Sequence, residues 1–429
     1  MKIFSFLTLA TVTLAATIAK RGPKASDWDY ENKTVNGVNL GGWFLLEPYI
    51  TPSLFKAFEP GEIPVDEYHY TMFLGKEEAK RRLEHHWDTW YQESDFEAMA
   101  DAGINTVRIP VGYWAYGMKE DDPYVSGQDF YLERALGWAR KYGIVAWIDL
   151  HGAPGSQNGS GSSGLRGSFD SLEELRKSIG FLHDDNLSLT LTVLQNIFDK
   201  YGGSEFEDVV SGIELLNEPL GIVSDMNKLK NFYRWGYGNM RYLNSLSYNN
   251  VIISDAFMEE PGYWNDFMTV DEGYWKVVVD HHHYQWHTPE ELGMNITEHV
   301  QLACELGTNH TKEYHWNIVG EWSAALTDCA MWLNGIGRGS RWLGQYMNSP
   351  KFGECEPYTN PDEWTEEHKQ NLRRFIEGQI DAYSTASGWI FWNWKCENAV
   401  EWDMSRLIQL GVFPQPFSDR QYPNQCGYD

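Results

Sequence analysis

Positive charge is scarce in this chain: 34 Lys and Arg stand against 61 Asp and Glu, a formal net charge of −27. Such a surface repels polyanions, which argues against nucleic acid and acidic membrane faces as partners but leaves a neutral polymer or small neutral substrate unpenalised. Cysteine is also scarce, five in 429 residues, and none precedes Cys304. Cys304, Cys329, Cys355, Cys396 and Cys426 lack the short paired spacing of a zinc site. Two disulfides and one leftover thiol suit an oxidising compartment. Neither a G-x-S-x-G elbow nor a G-x-x-x-x-G-K-[ST] loop occurs, so Ser-His-Asp chemistry and P-loop phosphate binding have no support. No internal repeat and no long linker divides the chain, which predicts one domain.

Long apolar runs are missing except at the start. Lys2 followed by "IFSFLTLATVTLAATIA" and the dibasic pair Lys20-Arg21 reads as a signal peptide and processing site over residues 1–21, leaving 22–429 as the mature domain. A membrane anchor is the competing reading, but the run is short and studded with Thr and Ser. A secreted protein, extracellular or in the cell wall and monomeric, is the expectation. Asn32, Asn158, Asn186, Asn295 and Asn309 lie in sequons and are candidate glycan sites. Aromatics are abundant, with 20 Trp and 24 Tyr, and their flat faces suit sugar rings as well as a core.

Short apolar runs alternate with amphipathic segments, as in successive βα units. Strands are predicted over 35–42, 105–110, 144–150, 212–216, 251–254, 276–281, 316–320 and 388–392. Helical patterns include 93–103, 129–143, 189–202 and 366–384, and three of these close on Gly as helix C-caps do. Most of the strand runs lack strict alternation, which fits strands covered on both faces. Eight such units predict an α/β fold, a single (β/α)₈ barrel with extended βα loops. The tract "GSQNGSGSSGLRG" is then a βα loop, unless it is an idle flexible one.

Barrel chemistry sits where strands finish. Those ends carry Glu47 and Tyr49, Arg108, His151, Asn217 and Glu218, His282 and Tyr284, Glu321, and Trp392. Each has a plain structural alternative when taken singly. The triplet His281-His282-His283 suggests metal, but adjacent strand residues face opposite ways and cannot converge on one ion. No metal and no cofactor is expected. The pair Glu218 and Glu321 is the stronger signal. Two carboxyls about 5–5.5 Å apart are the minimum equipment of a retaining glycosidase, one giving a proton and one attacking the anomeric carbon. Glu218 is the candidate acid/base and Glu321 the candidate nucleophile. Arg108 and Tyr284 are placed to keep Glu321 ionised with a lowered pKa, and Trp392 to floor the sugar.

These residues resemble glycoside hydrolase family 5, and within it the secreted yeast and fungal exo-β-1,3-glucanases. The likeness runs through "GVNLGGWFLLEPYITPSLF", "NTVRIPVGYWAY", "WIDLHGAPGSQNG", "LLNEPL", "DHHHYQ", "GEWSAALTDCAMWLNGIGRGSRW", "GWIFWNWK" and "GVFPQPFSDRQYPNQCG". The resemblance implies a retaining glycosidase on a (β/α)₈ barrel, with the Glu of N-E-P, Glu218, as proton donor and the Glu of G-E-W, Glu321, as nucleophile. It implies active-site roles for Arg108, His151, Asn217, His282, Tyr284 and Trp392, and terminal-glucose contacts for Glu47 and Tyr49. It further implies disulfides Cys304–Cys426 and Cys329–Cys355, with Cys396 left as the free thiol.

The entrance departs from the family pattern. Relatives commonly read N-G-F-D-N-S-G after the His and supply a second Phe after the Tyr; this chain has "NGSGSSG", and Trp286-His287 after Tyr284. Ser160 and His287 therefore stand where two clamping Phe rings are expected, Ser162 replaces a polar Asn, and Trp286 is the candidate substitute platform. The expected substrate is β-1,3-glucan, cleaved to glucose from non-reducing ends with transfer to other sugars as a side reaction. The altered entrance keeps open β-1,6-glucan or an apolar-aglycone β-glucoside. A non-catalytic cell-wall carbohydrate-binding protein is the alternative from another class; retention of both Glu residues argues against it.

Overall fold

The computed structural model describes residues 24–168, 171–243, 247–258 and 260–428; the expected signal segment, 1–21, lies outside them. Eight parallel strands close a barrel in chain order: β1 (Val35–Asn39), β2 (Thr106–Gly112), β3 (Val145–Gly152), β4 (Val210–Glu214), β5 (Asn250–Ser254), β6 (Val277–His282), β7 (Trp316–Glu321) and β8 (Gly388–Phe391). Every neighbouring pair is parallel, including β1 with β8. All eight expected runs are strands, with shifted ends. The run 212–216 pairs earlier, over Val210–Glu214, because Leu215 and Leu216 are apolar for burial while the ladder has already ended.

Side-chain alternation along the strands builds the interior in tiers. The lowest holds Trp147, Ile252, Val278, Ile318 and Ile390, packed as one buried cluster. Two residues further along β3 and β6 stand Asp149 and Asp280, at a polar level shared with Asn39, Arg108 and Glu214, all fully buried. Two further on are His151 and His282. The apolar tier thus floors a polar one, which in turn supports the strand ends.

The helices bury their apolar stripes on this barrel. Gln128–Tyr142 buries Leu132, Ala135, Leu136 and Ala139, the spacing of one helical face. It ends on Gly143 in the left-handed region, whose N–H bonds the Ala139 and Arg140 carbonyls. Gly202, expected to cap Asp184–Tyr201 in the same way, stays right-handed at φ −80°. No helix among the described residues is long and apolar enough to cross a membrane.

Cys304 bonds Cys426 and Cys329 bonds Cys355, while Cys396 is a buried free thiol. The first bridge ties helix Ile296–His310 to the C-terminal tail; the second closes the segment after β7. Two sequons are poor glycan sites, because Asn158 and Asn186 are buried at 2% and 8% exposure. The Asn186 amide donates to the Gly180 carbonyl, whereas Asn32 is exposed.

Candidate active site

A cavity of about 490 Å³ opens at the C-terminal ends of the strands, within the usual range for a small-molecule site. Glu47, Tyr49, His151, Ser160, Ser162, Glu218, Tyr284, Trp286, His287, Glu321 and Trp392 all line it. The other three expected residues, Arg108, Asn217 and His282, lie directly beneath and bond to the lining groups.

Arg108 is the hub. Its Nε donates to Glu214 Oε2 at 2.8 Å, its Nη1 to Glu321 Oε1 at 2.9 Å and Asn39 Oδ1 at 3.1 Å, and its Nη2 to Asn217 Oδ1 at 2.8 Å. Asp149 and Asp280 pair with it at 3.1 and 3.5 Å. A fully buried guanidinium is tolerable only with this many acceptors.

Glu321 reaches the cavity through an irregularity in the sheet. Along β6 and β7, His281 pairs with Val319 but His282 with Glu321, so Gly320 is an extra residue and the strand end is re-aimed inward. The Tyr284 hydroxyl donates to Glu321 Oε2 at 2.8 Å, opposite the Arg108 bond. Glu218 lies four residues beyond β4, after Asn217, whose N–H still bonds the Leu150 carbonyl. Its φ of 46° is in the left-handed region, unusual for a non-glycine and found at sites where the surroundings dictate the backbone. His282 Nδ1 approaches Glu218 Oε1 at 2.7 Å and Glu321 Oε2 at 3.5 Å. One acceptor atom from each of Glu218, His282 and Glu321 falls within 4.8 Å of the others.

Burial pushes the Glu321 carboxyl up to about 7, helped by the Glu218 charge and opposed by His282 and Arg108. The expectation that Arg108 and Tyr284 bring it below the usual carboxylate range is therefore not met; desolvation and a like charge outweigh them. Burial also works against the Glu218 charge, but the His282 hydrogen bond and charge hold this carboxyl below its usual value. Burial, and then the Glu321 and Glu218 charges, raise the Glu47 carboxyl well above its ordinary value. Trp392 Nε1 donates to the Tyr49 hydroxyl, and its ring stacks on His151 at 5.4 Å and 15°.

The three adjacent histidines diverge. His281 bonds Asp255 and Glu313, His282 bonds Glu218 and Asp280, and His283 bonds the Tyr383 hydroxyl. At the entrance the Gly/Ser tract is packed, not idle. Gln157 donates to the His151 and Asn217 carbonyls, and Ser156 bonds Ser163. Ser160 accepts from the backbone and side chain of Ser162, so neither offers an apolar face. Trp286 and His287 lie 3.9 Å apart ring to ring, and both line the cavity.

Sequence reading missed several lining groups, among them Trp332, Arg341, Tyr346 and Trp402, and two further features stand out. Phe257, beyond β5, lines the cavity at 40% exposure and meets His282 edge-on at 6.4 Å. The polar tier of Asp149, Glu214 and Asp280 was missed because it lies inside the apolar runs; the available signal was the D-x-H spacing in "DLH" and "DHH".

Comparison with known proteins accords with this geometry. Residues 73–255 match the family model described as cellulase, glycosyl hydrolase family 5. Over 94% of its length the chain is 56% identical to a glucan 1,3-beta-glucosidase of Schwanniomyces occidentalis, covering 93% of that protein. It is 54% identical to one from Candida oleophila, over 99% of this chain and 98% of that one. The chain belongs to glycosyl hydrolase family 5. The family member of that description from Saccharomyces cerevisiae, glucan 1,3-beta-glucosidase I/II, is 47% identical over 99% of this chain and 97% of its own length. A crystal structure of rutinosidase from Aspergillus niger shares the fold, with a TM-score of 0.66 and 20% identity over 90% of this chain and 99% of that one.

Proposed function

We propose that this family 5 enzyme is an exported, monomeric, retaining exo-β-1,3-glucanase that releases glucose from the non-reducing ends of β-1,3-glucan. The observation that carries the mechanism is the closeness of two carboxyls, Glu218 and Glu321, with atoms within 4.8 Å of one another in one cavity. Oxygens this near fall short of the roughly 6.5–9.5 Å between carboxyls that an inverting enzyme keeps for its water, and they are compatible with the roughly 5–5.5 Å of double displacement. Linkage rests on the full-length likeness to glucan 1,3-beta-glucosidases. Export rests on the N-terminal pattern and on two disulfides.

In the first step Glu321 attacks the anomeric carbon while Glu218 gives its proton to the departing oxygen. Two donors, Arg108 and Tyr284, converge on the Glu321 oxygens, the hydrogen bonding an ionised nucleophile requires. In the second step Glu218 takes a proton from water as the covalent bond to Glu321 breaks, or from a sugar hydroxyl, which gives transfer. Glu47 and Tyr49 close the pocket beneath the terminal sugar, with Trp392 as its flat wall.

The test is incubation of the purified enzyme with β-1,3-, β-1,6- and β-1,4-linked gluco-oligosaccharides, following product size and anomer. β-Glucose appearing first, from the β-1,3 series and paired with the oligomer one glucose unit shorter, is the expected result. α-Glucose first overturns double displacement, early products shortened by several units at once overturn exo action, and preference for the β-1,6 series overturns the linkage.

A further inference from the structure

The polar tier under the cavity contains a group that the two-carboxylate scheme leaves unused. Asp280 is fully buried on β6, two residues before His282 and on the same face of the strand. Its Oδ2 lies 3.4 Å from His282 Nε2 and 3.5 Å from Arg108 Nε. The other ring nitrogen of His282, Nδ1, is the one 2.7 Å from Glu218. Carboxylate, imidazole and carboxyl therefore stand in line, from the barrel interior up to the cavity.

The neighbouring strand is shaped to accept this carboxylate. A Cβ on Gly320 would sit 1.9 Å from Asp280 Oδ1, so the residue before Glu321 must lack a side chain for Asp280 to keep its place. The glycine of "GEW" thus serves the bulge and the carboxylate at once.

We propose that Asp280 is a positioning residue for hydrolysis, holding His282 as an imidazolium that donates Nδ1–H to Glu218. The charges facing the ring are Glu218 from beyond β4, Glu214 on β4, Asp280 on β6, Glu321 on β7, Asp149 and His151 on β3, and Arg108 on β2. Carboxylates outnumber the one guanidinium, and both ring nitrogens face carboxyl oxygens. While Glu218 and Asp280 are both ionised, a neutral imidazole would leave one nitrogen lone pair against an oxygen lone pair. Burial opposes the His282 charge, but Glu321 and Asp280 raise its proton affinity well above the ordinary value. When Glu218 passes its proton to the departing oxygen and the glycosidic bond breaks, the new carboxylate is met by a charged donor already in place. The imidazolium keeps its own proton throughout. Asp280 thereby helps stabilise the carboxylate that Glu218 becomes as the glycosidic bond breaks, which counts most where the leaving group is poor.

This inference rests on Glu218 being the acid/base. Its first test needs no variant: in protein labelled with ¹⁵N-histidine, the His282 resonance, assigned by its loss in His282→Gln, is expected to keep the imidazolium signature up to pH 8. A neutral-ring signature at pH 7 overturns the proposal. In Asp280→Asn the transition is expected to move down by more than one pH unit. Kinetically, Asp280→Asn is expected to slow β-1,3-linked glucobiose at least tenfold more than 2,4-dinitrophenyl β-glucoside, whose leaving group needs no proton. Equal losses on both substrates overturn the positioning role while leaving the two-carboxylate reading intact. Unchanged hydrolysis of glucobiose by Glu218→Ala removes that reading itself.

Discussion

Glu218 and Glu321 have the same chemistry, and although Glu321 is the more buried, 6% against 18% exposed, their roles follow from their neighbours. Glu321 accepts from Arg108 and Tyr284 on separate oxygens. Glu218 is bonded by His282 on one oxygen, and its carboxyl lines the cavity. Glu321→Ala is expected to abolish turnover of every glucoside. Glu218→Ala is expected to slow substrates with poor leaving groups by about 10²–10⁴-fold and activated aryl glucosides far less in the first step. Azide should then restore cleavage of the activated substrate and yield β-glucosyl azide, detectable by mass and NMR. The α-anomer would reverse the stereochemical assignment. Phe257 is argued on different grounds. It lines the cavity and is 40% exposed, so its ring is expected to serve sugar binding more than the core. Phe257→Ala is expected to raise KM for laminari-oligosaccharides several-fold, about 1 kcal/mol, with the melting temperature nearly unchanged. These two cases also mark what was readable at this scale. Glu218 and Glu321 end apolar runs and advertise themselves. Phe257 looks like any loop aromatic, and Asp280 is hidden within a strand whose tier cannot be assigned without the barrel's register.

At the scale of elements, hydrophobic runs marked the strands but not their pairing limits. Leu215 and Leu216 are as buried as the residues of β4 itself, and nothing in their chemistry says that the ladder stops at Glu214. The irregularity at Gly320 was equally silent in one sequence, since glycine there reads as an ordinary strand end until Asp280 is seen against it. The loop after β3 was legible only as to position. Its Ser and Gly composition suggests slack, whereas Ser156, Gln157, Asn158 and Ser163 are buried and bonded. The C-terminal tail gives the element-scale prediction. It has little regular structure after helix Met404–Gln409, and Cys426 joins it to helix Ile296–His310 across 122 residues. Closing so long a loop restrains the unfolded chain strongly, so Cys304→Ser with Cys426→Ser is expected to cost about 2–5 kcal/mol. Chemical denaturation should report that loss, and limited proteolysis should cut the tail first. A double variant as stable as the parent would mean that packing alone secures the tail.

At the scale of the whole molecule, buried titratable groups set a stability profile against pH. Burial holds His86, His283 and His299 at about 4. In the unfolded chain they titrate near 6.5, so below about 6.5 the unfolded state binds more protons and stability is lost as pH falls toward 4. Glu67 has the opposite sign. Burial raises it to about 8 against roughly 4.3 unfolded, so its contribution is present at low pH and is lost as pH rises through 8. His281 would be lowered by burial, but its bonds to Asp255 and Glu313 raise it to about 10. Its contribution is complete below about 6.5 and is lost as pH climbs through 10. Between about 4.5 and 6.5 the three histidines and Glu67 oppose one another; above about 6.5 the three histidines no longer contribute, and Glu67 and His281 both lower stability as pH rises. Self-repulsion from a net charge of −27 adds to the alkaline loss. Thermal stability is therefore expected to peak between about pH 4.5 and 6.5 and to decline toward pH 9. Added salt should recover part of the loss at pH 9 by screening the surface, and none of the part due to Glu67 and His281, which are buried. Melting curves across pH at two ionic strengths separate the two contributions, and a midpoint still rising at pH 9 would show that neither governs the fold.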